Sequence, residues 1–157
     1  TDLVKRSVAA EILLNVIAGE SSELYEELYN SGLINRAIGT DYTCEENYAH
    51  SSFSFESNNV DEVVNKIKEK IEVLKQNGLD ENVLNRIKKM LYGEYVKLFN
   101  DATSVARVFV NDYFKGINSF NYVDAYKTID KAYIEEVLKE VFDFDNMVLS
   151  VVVPEKN

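Results

Sequence analysis

The 157-residue sequence has very little cysteine, proline or histidine, with one of each, and no tryptophan. A single cysteine, Cys44, cannot form an intramolecular disulfide, which predicts a reducing compartment such as the cytoplasm. The most apolar run, residues 147–153, is interrupted by Ser150. It is far shorter than the about 20 residues of a membrane-spanning helix. These shortages argue against a disulfide-stabilised secreted domain and against a transmembrane protein.

Charge is unevenly distributed along the chain. The sequence has 27 acidic and 17 basic residues, and residues 20–62 hold ten of the acids but only one base, Arg36. The remainder of the chain is nearly neutral. We therefore expect one acidic face, which repels nucleic-acid phosphates and anionic lipids. Neither nucleic acid nor a membrane surface is an expected partner.

Hydrophobic periodicity predicts one α+β domain over residues 1–157, with a mixed or antiparallel sheet packed against several helices. Alternation in residues 33–55 predicts a β-hairpin with its turn at 43–47. On that hairpin, His50, Ser52, Ser54 and Glu56 share the face opposite Phe53 and Phe55. Residues 147–153 predict a buried third strand. Helices are predicted over residues 2–18, 23–32, 61–76, 81–100, 103–114 and 131–141.

Three strands are few for a stable sheet, so we expect further strands from residues preceding Thr1. The aromatic residues near the C-terminal helices, among them Tyr113, Tyr122 and Tyr126, are expected to serve core and rim packing rather than ligand binding. The lysines of residues 66–89 alternate with acids, which indicates a solvated helix face.

Candidate catalytic groups are sparse. The one histidine, His50, lies near Cys44, Glu45 and Glu46, but these acids fall in the predicted turn, where no regular spacing aims them at one point. An ordinary strand histidine and a lone thiol are therefore favoured over a metal site. A Cys/His hydrolase using Cys44 and His50 is the lesser alternative, because no third group orients the pair. No glycine-rich phosphate loop is present.

Two longer stretches carry a family resemblance. The first reads SSELYEELYNSGL over residues 21–33, and the second reads LNRIKKMLYGEY over residues 84–95, followed by SVAR at 104–107 and YFKG at 113–116. Together they resemble the pitrilysin/insulinase family of zinc metallopeptidases. The form LYEELYxxGLI is similar to bacterial members of its processing-protease-like branch. Residues 148–154 are similar to the family's last strand.

The resemblance implies an incomplete LuxS/processing-peptidase-like repeat. In that family, two homologous domains close around a peptide chamber, and one domain holds zinc on an inverted H-x-x-E-H helix. Nothing here matches that motif, since His50 is followed by Ser51-Ser52-Phe53-Ser54. The chain is thus expected to be the non-catalytic C-terminal domain of a longer zinc metalloendopeptidase. It would be inactive alone, with no cofactor of its own and zinc in the other domain.

The implied partners are a homologous zinc-bearing domain, in the same or another chain, and an extended peptide substrate. A separate non-catalytic subunit or peptide-binding interaction domain is the main alternative. In many family members this half contributes an Arg and a Tyr that reach the substrate. Alignment on residues 26–28 and 32–33 places those positions at Tyr29 and Asn35, and Arg36 adjoins them. These three residues are the substrate-binding candidates, and the acids of residues 20–62 predict a chamber wall that favours basic or amphipathic peptides.

Overall fold

The computed structural model describes residues 2–45 and 47–154. Those residues form seven α-helices and a two-stranded antiparallel sheet, which confirms the α+β prediction. Single 3₁₀ turns span Leu98–Asn100 and Phe144–Asn146. The elements are α1 Asp2–Ala18, α2 Glu23–Asn30, β1 Gly39–Cys44, β2 Ala49–Ser54, α3 Val60–Asn77, α4 Glu81–Lys97, α5 Ala102–Phe114, α6 Asn121–Thr128 and α7 Lys131–Val141.

Helix α1 forms the centre of the molecule. It contacts β1 and five other helices, namely α2, α3, α4, α6 and α7. Val8, Ile12 and Leu13 are completely buried, and so are Ala9 and Ala10 between them. The sequence predicted a helix with one buried stripe, whereas the structure buries most of the circumference. The small alanine side chains allow neighbouring elements to approach on that additional side.

Side-chain caps fix the starts of several helices. The Ser22 hydroxyl accepts a hydrogen bond from the Tyr25 amide, and the carboxylates of Asp80 and Asp130 do the same for Val83 and Tyr133. These caps were predicted from sequence and are confirmed. Gly78 ends α3 with a φ of 78°, a conformation that glycine adopts without steric cost.

The hairpin has the predicted side-chain alternation. Thr40 pairs with Phe53 and Tyr42 with Ser51, and these residues are partly buried on the face toward the helices. Asp41, His50 and Ser52 are exposed on the other face. The turn is tighter than expected, because Thr43 and Cys44 belong to β1 and the Glu45 amide bonds the Tyr48 carbonyl.

Two predictions of secondary structure are wrong. Residues 121–128, which lie outside all the predicted helices, form α6, which packs Ala125 and Tyr126 into the core. Residues 147–153, expected to be a buried strand, have no regular secondary structure and are exposed. A strand requires a pairing neighbour, and the described sheet contains only β1 and β2. None of the described helices is long and apolar enough to cross a membrane.

Candidate functional site

The three predicted substrate-binding residues lie at the end of α2 and in the connection that leads from it to β1. Leu28 ends the buried face of α2, and its carbonyl accepts hydrogen bonds from the amides of Leu33 and Ile34. Gly32 turns the chain with a φ of 75°. Ile34 and Ile38 are buried, which fixes the connection at two points. The residues between these anchors project from the protein as an exposed loop.

Tyr29 lies in the last turn of α2, whereas Asn35 and Arg36 lie in the connection, and all three are exposed. The Tyr29 ring stacks on Tyr25 one helical turn earlier, with 5.8 Å between ring centroids. Arg36 pairs with Glu56, just beyond β2, with 2.5 Å between the guanidinium and the carboxylate. An exposed pair of this kind contributes at most about 1 kcal/mol, so Arg36 can exchange this partner for another carboxylate at little cost.

The acidic segment, residues 20–62, has less uncompensated negative charge in the fold than its sequence alone indicates. Glu23 binds Lys70 at 2.7 Å and Glu27 binds Lys66 at 2.5 Å, which joins α2 to α3. The hydrogen bond from Lys70 lowers the pKa of Glu23. Glu45 binds Lys115 at 2.6 Å. Bases from distant parts of the chain therefore offset several of the acids that the charge count placed on one face.

The hairpin separates the two residues of the Cys/His alternative. Cys44 is buried on the face toward the helices, whereas His50 is exposed on the outer face. Their side chains point to opposite sides of one sheet, so the thiol and the imidazole cannot act as nucleophile and base. The Cys/His hydrolase hypothesis is therefore wrong.

The residues near His50 also do not fit a zinc site. Zinc in proteins requires three or four converging nitrogen, sulfur or oxygen ligands. In residues 2–45 and 47–154, no group of three histidine, cysteine, aspartate or glutamate side chains converges in this way. Of the candidate ligands, Glu46 lies outside the described residues, and Cys44 faces away from His50. We therefore assign no metal chemistry to these side chains.

Sequence reasoning missed a buried polar cluster between α4, α5 and α6. The Ser119 hydroxyl donates to the Asp112 carboxylate at 2.5 Å, and the Tyr95 hydroxyl donates to the Ser119 carbonyl at 2.6 Å. Burial, together with the Asp112 charge, raises the pKa of Tyr95 and of Tyr122 to about 12. Asp112 is seven residues from Ser119, a separation that carries no sequence signal. The Asp112 carboxylate and the hydroxyls of Ser119 and Tyr95 are hydrogen-bonded within the cluster, which indicates a structural role.

A cleft of about 420 Å³ lies beside the hairpin. It is bounded by β2, by α3 and by residues 140–149, and we call it the β2 cleft. Phe53 and Phe142 meet at its base, with 6.1 Å between ring centroids. Its lining is chiefly aromatic and aliphatic, which favours apolar side chains over a charged ligand.

Comparison with known proteins settles the family. The family model described as the inactive domain of peptidase M16 matches residues 2–91, which is more than half of the chain. The chain belongs to the peptidase M16 inactive-domain family. The matched residues include α1, the α2–β1 connection, the hairpin, α3 and most of α4. The M16 chain is also 24% identical over 157 residues to the uncharacterized zinc protease YmfH of Bacillus subtilis, with 98% of the chain covered.

Solved structures resemble the fold of this M16 chain. An M16-like peptidase from Alicyclobacillus acidocaldarius matches 88% of the chain with a TM-score of 0.84 and 17% identity. A protease from Helicobacter pylori also matches 88%, with a TM-score of 0.74 and 16% identity. The chain spans about a third of these relatives, namely 36% of YmfH and 34% and 35% of the two structures.

Proposed function

We propose that this M16 chain is the non-catalytic C-terminal domain of a cytoplasmic zinc metalloendopeptidase of the bacterial insulinase type. In that role it walls the peptide chamber and contacts extended substrate peptides. The match of residues 2–91 to the inactive M16 domain carries the proposal. The partner is a homologous zinc-bearing domain, in the same polypeptide or in a separate one.

The last turn of α2 and the exposed connection after it form the proposed substrate contact. Tyr29 is 52% exposed and offers an aromatic surface to peptide side chains. Asn35 supplies an amide that can bond a peptide main chain, and Arg36 supplies a guanidinium beside it. Hydrogen bonds to the main chain would give affinity for many sequences, with Tyr29 adding selectivity.

The proposed preference for basic or amphipathic peptides depends on the acids that remain exposed. Glu20 precedes α2 and Glu26 lies on it, and both are exposed. Asp41 is exposed on the outer face of the hairpin. Since lysines from outside the segment offset several of its acids, the attraction is weaker than the ten acids and one base of residues 20–62 suggest. Binding of a basic peptide should therefore weaken only moderately as salt rises.

Peptide binding by the purified chain tests the proposed contact. The probe is a fluorescein-labelled, extended ten-residue peptide with two lysines, followed by anisotropy. Tyr29→Ala and Arg36→Ala should each weaken binding by about threefold to tenfold, because each removes one contact of about 1 kcal/mol. Val73→Ala is the control, since Val73 is 47% exposed on α3, away from the proposed contact. Equal affinities in all variants would contradict the assignment.

Activity measurements test the non-catalytic role. The purified chain should hydrolyse no peptide, with or without added zinc. Its addition to the zinc-bearing partner, or its fusion in the native reading frame, should restore peptide cleavage. Chelator-sensitive cleavage by the purified chain alone would contradict the proposal.

A further inference from the structure

Helix α5 has two apolar faces, and the fold covers only one of them. Its inner face packs on the 98–100 turn, and Phe109 on that face is partly buried. Its other face is exposed, including Val110 at 52%, Tyr113 at 79% and Phe114 at 82%. We call this surface the α5 outer face. It consists of six exposed residues at the spacing of one helical stripe, namely Thr103, Ala106, Arg107, Val110, Tyr113 and Phe114.

The end of this helix is held firmly in place. Lys115 pairs with Glu45, which follows β1, at 2.6 Å. The Asp112 carboxylate accepts a hydrogen bond from the Ser119 hydroxyl, and the Asp112 carbonyl accepts one from the Ile117 amide at 2.8 Å. The two exposed rings therefore project from a fixed helix end. Covering them costs little ordering entropy, which favours their use in protein association.

The side chains of the α5 outer face increase in size along the helix. Thr103 and Ala106 in its first half are small, whereas Tyr113 and Phe114 in its second half are large, and Val110 lies between them. In two antiparallel α5 helices with a two-fold axis at Val110, residues equally distant from Val110 oppose each other. Ala106 precedes Val110 by four residues and thus receives Phe114 of the second copy. Each large ring fills the space beside a small side chain.

Charge on the α5 outer face fits the same pairing. Arg107 is its one charged residue, and no carboxylate in the described part of the chain pairs with it. Arg107 precedes Val110 by three residues and so opposes Tyr113 of the second copy. A guanidinium is attracted to the face of an aromatic ring. The two Arg107 positions lie about 9 Å apart along the helix axis, which keeps their charges separate.

The exposed area suits a transient interface. A large aromatic side chain has about 150–250 Å² of surface, so Tyr113 and Phe114 each expose on the order of 150 Å². The six residues together expose on the order of 500 Å², so two copies bury about 1,000 Å², the lower limit of specific interfaces. We therefore expect a dissociation constant of about 10–100 µM. At about 1 µM the chain is then monomeric, with this face exposed.

We propose that the α5 outer face is a homodimer interface, in which two copies of the chain pair their α5 helices antiparallel about a two-fold axis at Val110. The occupant is a second copy because a reversed α5 presents large side chains to small ones and a ring to each Arg107. Such an interface is isologous, so assembly closes at two copies. This inference concerns self-association, and it does not depend on the proposed substrate contact.

Sedimentation velocity measures the self-association. The chain should pass from monomer to dimer between about 1 µM and 1 mM. Val110→Lys should raise the dissociation constant by at least about tenfold, because it places two like charges at the axis. Val73→Lys is the matched control and should leave the constant unchanged, since Val73 is 47% exposed on α3. Far-ultraviolet circular dichroism verifies that both variants are folded. A monomer throughout this range, or equal constants in all three proteins, would overturn the proposal.

Cysteine cross-linking tests the antiparallel order. With oxidised glutathione, Val110→Cys should form a disulfide between copies, since the two residues meet at the axis. Thr103→Cys is the control, because antiparallel order places its two copies about 21 Å apart along the helix, whereas a disulfide spans at most about 7 Å between Cα atoms. The native Cys44 is buried and should not react. Equal cross-linking of the two variants would overturn the antiparallel pairing.

The same cross-link identifies the occupant in the protein expressed from its native reading frame. The Val110→Cys disulfide should form there as well, at the protein concentrations at which the chain dimerises. Its absence would overturn the proposal in favour of another domain as the occupant of the α5 outer face. Loss of the cross-link when the zinc-bearing partner is added would overturn it in favour of that partner. Neither outcome depends on whether the protein cleaves peptides.

Discussion

Helices α1 and α5 are both rich in valine, alanine and other apolar residues, yet the fold buries them very differently. In α1, Val8 and Leu13 are completely buried at the centre of the molecule. In α5, Asp112 is the only buried residue, and Val110, Tyr113 and Phe114 are exposed. Apolar composition therefore predicts that a segment is helical, but not how much of that helix is covered.

The difference follows from what each helix contacts. Helix α1 is surrounded by the hairpin and five helices, whereas α5 packs chiefly on the 98–100 turn. Phe109 joins α5 to this turn and to the next loop, with ring centroids 6.3 Å from Phe99 and 5.5 Å from Phe120. The family model matches residues 2–91, so it includes α1 and ends before α5.

The largest predicted effect is a matched substitution in the two helices. Val8→Ala should lower the free energy of unfolding by about 2–3 kcal/mol, since it removes two buried methyl groups and leaves a cavity. Val110→Ala should change it by less than about 0.5 kcal/mol, because Val110 is half exposed and alanine favours helix. Urea unfolding followed by circular dichroism measures both values. Equal losses would mean that α5 is covered in solution and would remove the contrast.

The next effect concerns the attachment of α5. Asp112→Ala should lower the free energy of unfolding by about 1–3 kcal/mol, because it deprives the buried Ser119 hydroxyl of its acceptor. Asp112→Asn keeps an acceptor and should lower the free energy of unfolding by less. The loss of the negative charge should also lower the pKa of Tyr95 from about 12, which ultraviolet titration measures. An unchanged Tyr95 titration in Asp112→Asn would show that burial alone sets that pKa.

A smaller, pH-dependent effect is expected at the exposed edge of α1. Although Glu11 as a whole residue is exposed, desolvation of its carboxyl raises its pKa above the ordinary 4.5, while the hydrogen bond from Tyr126 opposes the shift. The folded state therefore binds this proton more tightly than the unfolded state. Glu11 should add stability as pH falls from the raised value toward 4.5.

Comparison of the wild type with Glu11→Gln isolates this contribution. The difference in unfolding free energy should shift in favour of the wild type as pH falls through that window, and it should be constant above it. Glu20→Gln is the control, because Glu20 is exposed and lies outside α1. A difference that favours the wild type more strongly as pH rises would contradict the direction of the shift.

Local signals predicted most of the fold, and the strand that failed has a clear physical cause. The caps at Ser22, Asp80 and Asp130 and the faces of the hairpin depend on neighbouring residues, so periodicity and capping chemistry identify them. The strand predicted at 147–153 fails because a strand depends on a partner, which the described residues do not supply.

The candidate site was predicted less completely. The family resemblance predicted Tyr29, Asn35 and Arg36 as substrate contacts, and these stay predictions. The structure adds that the first lies in the last turn of α2 and the other two in the exposed connection that follows. The lysine partners of Glu23 and Glu27 are 47 and 39 residues away in the chain, so a local charge count could not anticipate their neutralisation. Helix α6 was missed because its aromatic and polar composition resembles a connection until Tyr126 is seen to pack on Tyr95.

The smallest predicted effect tests whether the end of α5 is free in the isolated chain. Tyr113 and Phe114 are 79% and 82% exposed, and their rings meet edge to face with 5.9 Å between centroids. Tyr113→Ser and Phe114→Ser should each change the unfolding free energy by less than about 0.5 kcal/mol, since little buried area is lost. We expect the two substitutions to have equally small effects on the unfolding free energy of the chain alone. A loss of 2 kcal/mol or more, about that of a buried side chain, would mean that these rings are covered in solution. In that case, the contrast with α1 would reflect a missing neighbour rather than a solvated helix end.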